Sequence, residues 1–352
     1  MIEEKRVKRK REGYRPLEMA AMGAATLAVM LLCVCVGSVG LPIGQTATVI
    51  WNAIWGLPMP EGFSTSIILS VRLPRVLCVA LSGAALSLCG AAMQGLLRNP
   101  LADGSTLGVS TGASLGAVIA IAFGITFPGL PFAGTMLMAM LFGFLSLAVI
   151  LSLAYRLDGS LSTNTIILVG VIWSMFISSI ISLIVTFRSD KVKSITFWNM
   201  GSLQGSDYIN ALTLLCALVL FGGVILSLTR ELNAFAVGED NARGVGVNVR
   251  RVKLTLLICV SALVGVCVSI GGSIGFVGLV TPHMARLIVG PNHKRLLPAS
   301  LFGGAIFLML ADLIARVLLN PIELPIGVVT SLIGAVAFIV IFYRTRKEEA
   351  HA

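Results

Sequence analysis

Val76-Leu-Cys-Val-Ala-Leu-Ser-Gly-Ala-Ala-Leu-Ser-Leu-Cys-Gly-Ala-Ala-Met-Gln-Gly-Leu-Leu97 runs without one Asp, Glu, Lys or Arg. About 20 mostly apolar residues carry a helix across the hydrocarbon core of a bilayer, so this stretch reads as a span. Charges stand just outside it, in Arg72-Leu-Pro-Arg75 before and Arg98-Asn-Pro-Leu-Ala-Asp103 after. The pattern recurs along the chain. Ten spans are expected, near 17–38, 76–97, 105–125, 131–155, 164–187, 208–229, 252–272, 274–290, 298–318 and 326–343. The 352 residues are 57% hydrophobic and 12% charged, about half the charge fraction of a soluble domain. The runs are too long to be the alternating segments of about 10 residues that build an outer-membrane barrel. The fold class is therefore an all-α integral membrane protein. Residues 1–16 read as a basic tail and 17–347 as one transmembrane domain.

The net charge of +10 does not point to nucleic acid, because the basic residues fall in the gaps between spans. With the N-terminus inside, the inner segments hold most of the Lys and Arg. The outer ones hold Arg72, Arg75, Arg188, Lys191, Lys193 and Arg316. That is the positive-inside bias, and an even number of spans puts both termini in the cytoplasm. The first apolar run, Leu17 to Val39, exceeds the 7–15 residues of a signal-peptide core and reads as the first span. All seven cysteines lie in apolar spans without a CxxC pair and read as small hydrophobes. The three histidines are too scattered to form a metal site.

One polar island interrupts the later spans: Ala236-Val-Gly-Glu-Asp-Asn-Ala-Arg-Gly-Val-Gly-Val-Asn248, flanked by Arg230, Glu231, Arg250, Arg251 and Lys253. A glycine-spaced polar element between two membrane spans is the best candidate for a surface on which a soluble partner pushes. The surrounding segment, about 233–250, is the expected coupling segment.

These strings, in this order, resemble the membrane permease subunit of ABC importers for ferric siderophores, haem and cobalamin. The series is Arg72-Leu-Pro-Arg75, Gly83-Ala-Ala-Leu86, Gln94-Gly-Leu-Leu-Arg-Asn-Pro-Leu-Ala102, Leu107-Gly-Val-Ser-Thr-Gly112, Phe197-Trp-Asn-Met-Gly-Ser-Leu203 and Val237-Gly-Glu-Asp-Asn-Ala242. It continues with Gly275-Phe-Val-Gly-Leu-Val-Thr-Pro-His-Met-Ala-Arg286, Ala311-Asp312, Ala315-Arg316 and Glu323-Leu-Pro-Ile-Gly327. Asp103-Gly104 and Gly272-Ser273 depart from the family pattern, which more often has a proline at each place. The resemblance implies a cobalamin-importer-type permease of ten helices, paired with a second permease subunit, in the cytoplasmic membrane of a prokaryote. It also implies two cytoplasmic ATPase subunits and an extracytoplasmic binding protein. The sequence agrees that ATP is handled elsewhere. A phosphate loop needs Gly-Lys-Ser/Thr, and Lys193, the only lysine before Ser or Thr, follows Val192. No cofactor is expected on this chain, ATP-Mg being used by the partner ATPase, and no catalytic or metal residue is assigned.

The resemblance further implies three sets of site residues. Gly238, Glu239, Ala242 and Gly246 correspond to the ATPase-coupling segment, and Glu239 suits a helix start through the dipole; the plain alternative is a polar loop. Arg72, Arg75 and Arg316 correspond to arginines that dock carboxylates of the binding protein, for which a planar, permanently charged fork is apt. Alternatively Arg72 and Arg75 anchor at headgroups, and Arg316 pairs with Asp312 one turn away. Asn99, Leu101, Ser162, Thr163 and Asn164 correspond to the cytoplasmic gate, while Ser, Thr and Asn are also ordinary helix caps.

The rival reading is a secondary transporter driven by an ion gradient, which would predict carboxylates or broken helices at the midplane; the spans hold almost none. A membrane enzyme would need a catalytic constellation, and none is found. Among cargoes the resemblance ranks ferric siderophore first, then haem or cobalamin.

Overall fold

The computed structural model describes residues 13–37, 40–59, 63–127, 133–159 and 162–351; residues 1–12 of the expected basic tail lie outside them. In chain order the α-helices are α1 (Pro16–Cys35), α2 (Ile43–Trp55), α3 (Phe63–Ser66), α4 (Leu73–Leu97), α5 (Val109–Phe123), α6 (Ala133–Leu157), α7 (Thr163–Phe187), α8 (Val192–Asn199), α9 (Tyr208–Ala217), α10 (Gly223–Ser227), α11 (Thr229–Val237), α12 (Glu239–Gly244), α13 (Val249–Gly271), α14 (Val277–Val289), α15 (His293–Val317) and α16 (Ile326–His351). Two π-helical turns, Ile67–Arg72 and Leu218–Gly222, join α3 to α4 and α9 to α10. Seven helical stretches are long and apolar enough to cross a membrane, and α5, α14 and Ile326–Val340 are shorter apolar helices. Each of the ten expected spans falls on one of these.

Burial sorts the helices. Nearly every side chain of α4 and α13 is buried, whereas α1, α6 and α7 leave most of theirs on the outside. Leu27, Leu141, Leu168, Met175 and Leu183 are among the apolar residues exposed there, as suits helices whose outer face meets lipid tails. In such a solvent, helices associate through close packing and hydrogen bonds rather than through expulsion of water. The core of this bundle shows both. Gly90 on α4 crosses α14 at Gly278 so closely that a Cβ at Gly90 would overlap the Gly278 carbonyl, and Gly83 stands in the same relation to Gly304 on α15. Between these crossings Thr281 Oγ1 donates to Ser87 Oγ at 2.6 Å. Across α6 and α7, Trp173 Nε1 donates to Ser146 Oγ at 2.7 Å.

Most expected boundaries move by a few residues, and three of the shifts have a visible cause. The second span does not begin after Arg75: helix continues back to Phe63 through the π turn, with Arg72 and Arg75 buried inside the bundle. The ninth begins at His293, not near 298, because Asn292 caps the helix by accepting from Lys294 N and Pro298 is accommodated within it. The sixth ends at Ser227, where Leu228 leaves helical geometry before α11. Two helices outside the expected spans, α2 and α8, went unforeseen.

The Gly90–Gly278 crossing predicts an asymmetry among glycines. Gly90→Leu should lower stability by about 1–3 kcal/mol or more, as overpacking does. Gly223→Ala, where a Cβ meets nothing within 4 Å, should stay within about 0.5 kcal/mol of wild type. Thermal unfolding of the purified protein in detergent, read by size-exclusion, separates the two; equal losses would contradict the packing described.

Candidate functional site

At one end of the bundle the polar island folds into α11 and α12, broken by Gly238 at φ 137°. Gly246 ends the segment at φ 87°. Both conformations belong to glycine, so the spacing of these two residues brackets α12. Within the bracket Ala242 is fully buried, its N–H bonded to the Gly238 carbonyl at 2.9 Å and its carbonyl accepting from Val247 N at 3.0 Å. The opposite side of the segment is open. Val237 and Val245 are 68% and 73% exposed, and Asp240 pairs loosely with Arg243 at 3.8 Å on the surface.

Glu239 does not simply sit at the start of α12. Its Oε1 lies 2.6 Å from Lys253 Nζ on α13 and accepts from Thr163 Oγ1, the first residue of α7, at 3.3 Å. The Lys253 side chain is only 1% exposed. A coupling candidate and a gate candidate are thereby joined by one carboxylate oxygen. Lys253 went unassigned in the sequence, although a lysine between Val252 and Leu254 one turn into a span was the available signal.

The remaining gate candidates lie around this junction. Arg98 caps α4 in left-handed conformation at φ 50°, and its Nη1 stands 3.8 Å from where a Cβ on Gly238 would be. Asn99 then folds a tight turn, its Oδ1 accepting from Leu101 N at 2.9 Å and its carbonyl from Ala102 N at 3.1 Å. Leu101 is half exposed. Ser162 caps α7 through Thr165 N and donates its own N–H to Asp158 at 3.0 Å; Asn164 is exposed. Asn99 and Ser162 thus have the turn and cap geometry their residue types favour.

The three arginines expected to meet a docking partner cluster elsewhere, and they are buried. Arg75 Nε and Nη2 donate to Asp312 Oδ1 at 3.0 and 2.9 Å, and its Nη1 donates to Glu323 Oε2 at 2.7 Å. Arg316 Nε approaches Asp312 Oδ2 at 2.9 Å. Asp312 is 1% exposed, so the pair foreseen one turn apart on a surface is an interior one. The other Arg316 nitrogens reach the end of α1: Nη2 donates to the Cys33 carbonyl and Nη1 to that of Val36. Arg72 Nη1 donates to the carbonyls of Val34 and Cys35 at 2.9 Å each. A helix leaves its last four carbonyls without intrahelical partners; here arginines from α15 and from the turn before α4 take all four, and positive charge suits that end of the dipole. Gly37 permits the approach, since a Cβ there would stand 2.9 Å from Arg72 Nη2. Among the described residues no three His, Cys, Asp or Glu converge on a possible metal ion.

The model of the FecCD transport family matches residues 25–344. The chain belongs to that family. FecCD relatives include an uncharacterized ABC transporter permease protein, YvrB, of Bacillus subtilis, 41% identical over 93% of both chains. The molybdate import system permease protein MolB of Haemophilus influenzae is 35% identical over 89% of this chain and 91% of its own. Others are named as cobalamin, hemin and iron(3+)-hydroxamate import permeases. A solved structure, described as an inward-facing conformation of a metal-chelate type ABC transporter, superposes with a TM-score of 0.82 at 32% identity, covering 94% of this chain and all of the other. This FecCD protein is accordingly a multi-pass cytoplasmic-membrane permease subunit of the ABC importer type, a transport subunit from a family whose members work with ATPase and binding-protein partners.

The shared carboxylate of this arginine cluster predicts unequal costs. Asp312→Asn leaves two buried guanidiniums short of a partner and should destabilise the protein by about 3–5 kcal/mol. Glu323→Gln, at a side chain 24% exposed, should cost clearly less. Equal losses on denaturant unfolding in detergent would contradict the central place given to Asp312.

Proposed function

We propose that this chain pairs with a second permease subunit, most simply an identical copy, and moves a metal chelate across the cytoplasmic membrane by ATP-driven alternating access. The observation that carries the reading is α12. It is a short helix bracketed by two glycines, seated through buried Ala242, with Val237 and Val245 presented outward beside it. Such a surface suits docking of a soluble ATPase, two of which would serve the permease pair and use ATP-Mg. In this reading ten spans cross the membrane and both termini lie in the cytoplasm. The turn at Asn99 and Leu101 and the start of α7 at Ser162, Thr163 and Asn164 form the cytoplasmic gate.

The binding protein belongs on the opposite end, over Arg72, Arg75 and Arg316. These guanidiniums are engaged within the chain, so partner carboxylates would have to compete with Asp312 and Glu323 for them. Ferric siderophore is the favoured cargo, ahead of haem and cobalamin; the relatives' printed names differ among themselves on this point. The gradient-driven alternative has little to use, because Asp312, a carboxylate inside a span, is held between two arginines.

The test is ATP hydrolysis by the chain reconstituted in liposomes with its ATPase and a binding protein, screened with ferric siderophores, haem and cobalamin. Stimulation by one cargo is expected, with loss on Ala242→Trp. Solute transport without any ATPase would overturn the reading in favour of an ion-driven carrier. Cysteines placed at 99 and 163 should cross-link across the permease pair in the closed state of the gate; failure in every nucleotide state would remove the gate assignment.

A further inference from the structure

Three helices meet at one oxygen atom. Glu239 Oε1 contacts Lys253 Nζ of α13 at 2.6 Å and accepts from Thr163 Oγ1 of α7 at 3.3 Å. The start of α7 is itself fastened to the end of α6, because Asp158 Oδ2 accepts from Ser162 N at 3.0 Å and from Thr165 Oγ1 at 3.3 Å. A buried ion pair such as Lys253–Glu239 is costly to break, and Thr163 Oγ1 bonds the same carboxylate oxygen. The rest of α12 offers no comparable polar link to α7: Asp240, Asn241 and Arg243 are exposed.

We propose that the Lys253–Glu239–Thr163 junction makes α12 and the starting end of α7 one mechanical body, with Lys253 as the positioning residue that holds Glu239 in reach of Thr163. A push on α12 then arrives undiminished at α7, and through Asp158 at the α6–α7 connection. This rests on the importer reading above, and it assigns to Glu239 an inward-facing transmission role rather than direct contact with the ATPase.

The experiment uses the whole complex in nanodiscs, with spin labels at the exposed positions Asn241 on α12 and Leu168 on α7. The distance between labels is measured nucleotide-free and vanadate-trapped. In the otherwise wild-type protein it should be the same in both states. With T163V, or with the paired replacement E239Q and K253M that leaves no buried charge, it should shift between states. Cargo moved per ATP should fall about tenfold, the scale of one charge-assisted hydrogen bond. A wild-type distance that changes between the two states overturns the proposal even if no variant can be purified. So does a double replacement that keeps both the distance and the cargo-to-ATP ratio of wild type. If the unlabelled wild-type complex shows no hydrolysis dependent on binding protein, the importer reading itself fails and the junction proposal falls with it. Normal stimulation with a changing distance removes the junction alone.

Discussion

Asp312 sits between Arg75 and Arg316, and one end of the bundle is organised around that contact. A charge near the interior of a bilayer is costly unless it is paired, and here the pairing is nearly balanced. Two guanidiniums meet the carboxylates of Asp312 and Glu323, while Arg72 is taken up by backbone carbonyls. Because each arginine has more than one direction in which to donate, the cluster also reaches α1 and the segment before α16. The ends of helices far apart in sequence are thereby set against each other. The closely packed glycine crossings farther along α4 then find their register with α14 and α15.

At the other end the same logic operates on a smaller scale. Lys253 is buried because Glu239 is within reach, and Glu239 is held because α12 is seated by Ala242 between two glycines whose backbone angles other residues adopt at a cost. Between the two ends α4 and α13 form the buried interior of the bundle. The more loosely held α1, α6 and α7 turn apolar faces outward. The charged clusters thus stand at the two ends, and neutral hydroxyl and indole hydrogen bonds such as Thr281–Ser87 and Trp173–Ser146 link helices between them.

The positions of the spans were legible because hydropathy is a local property: every expected span lies on an apolar helix. The coupling segment was legible for the converse reason, as a polar interruption whose glycines announce a change of backbone direction. What could not be read was where charges go when their partners are distant in sequence. Arg72 and Arg75 looked like the outer border of a span because a lone arginine marks one; the carboxylate that draws Arg75 inward is 237 residues away. Lys253 was passed over on the same ground, as one more basic residue flanking the island. The amphipathic α2 carries no charge at all and lacks the length of a span, so neither signal used for the spans could mark it.

The four carbonyls closing α1 have a history as well as a geometry. Among the described helices α1 leaves the ribosome first, and the arginine that takes the Val36 carbonyl follows 280 residues later. Until Arg316 is made, α1 therefore keeps carbonyls at its end that this arginine will later take. Only when α15 has been inserted can that end be sealed. An early helix and a late one complete each other, and the arginine cluster is among the last junctions of the molecule to close.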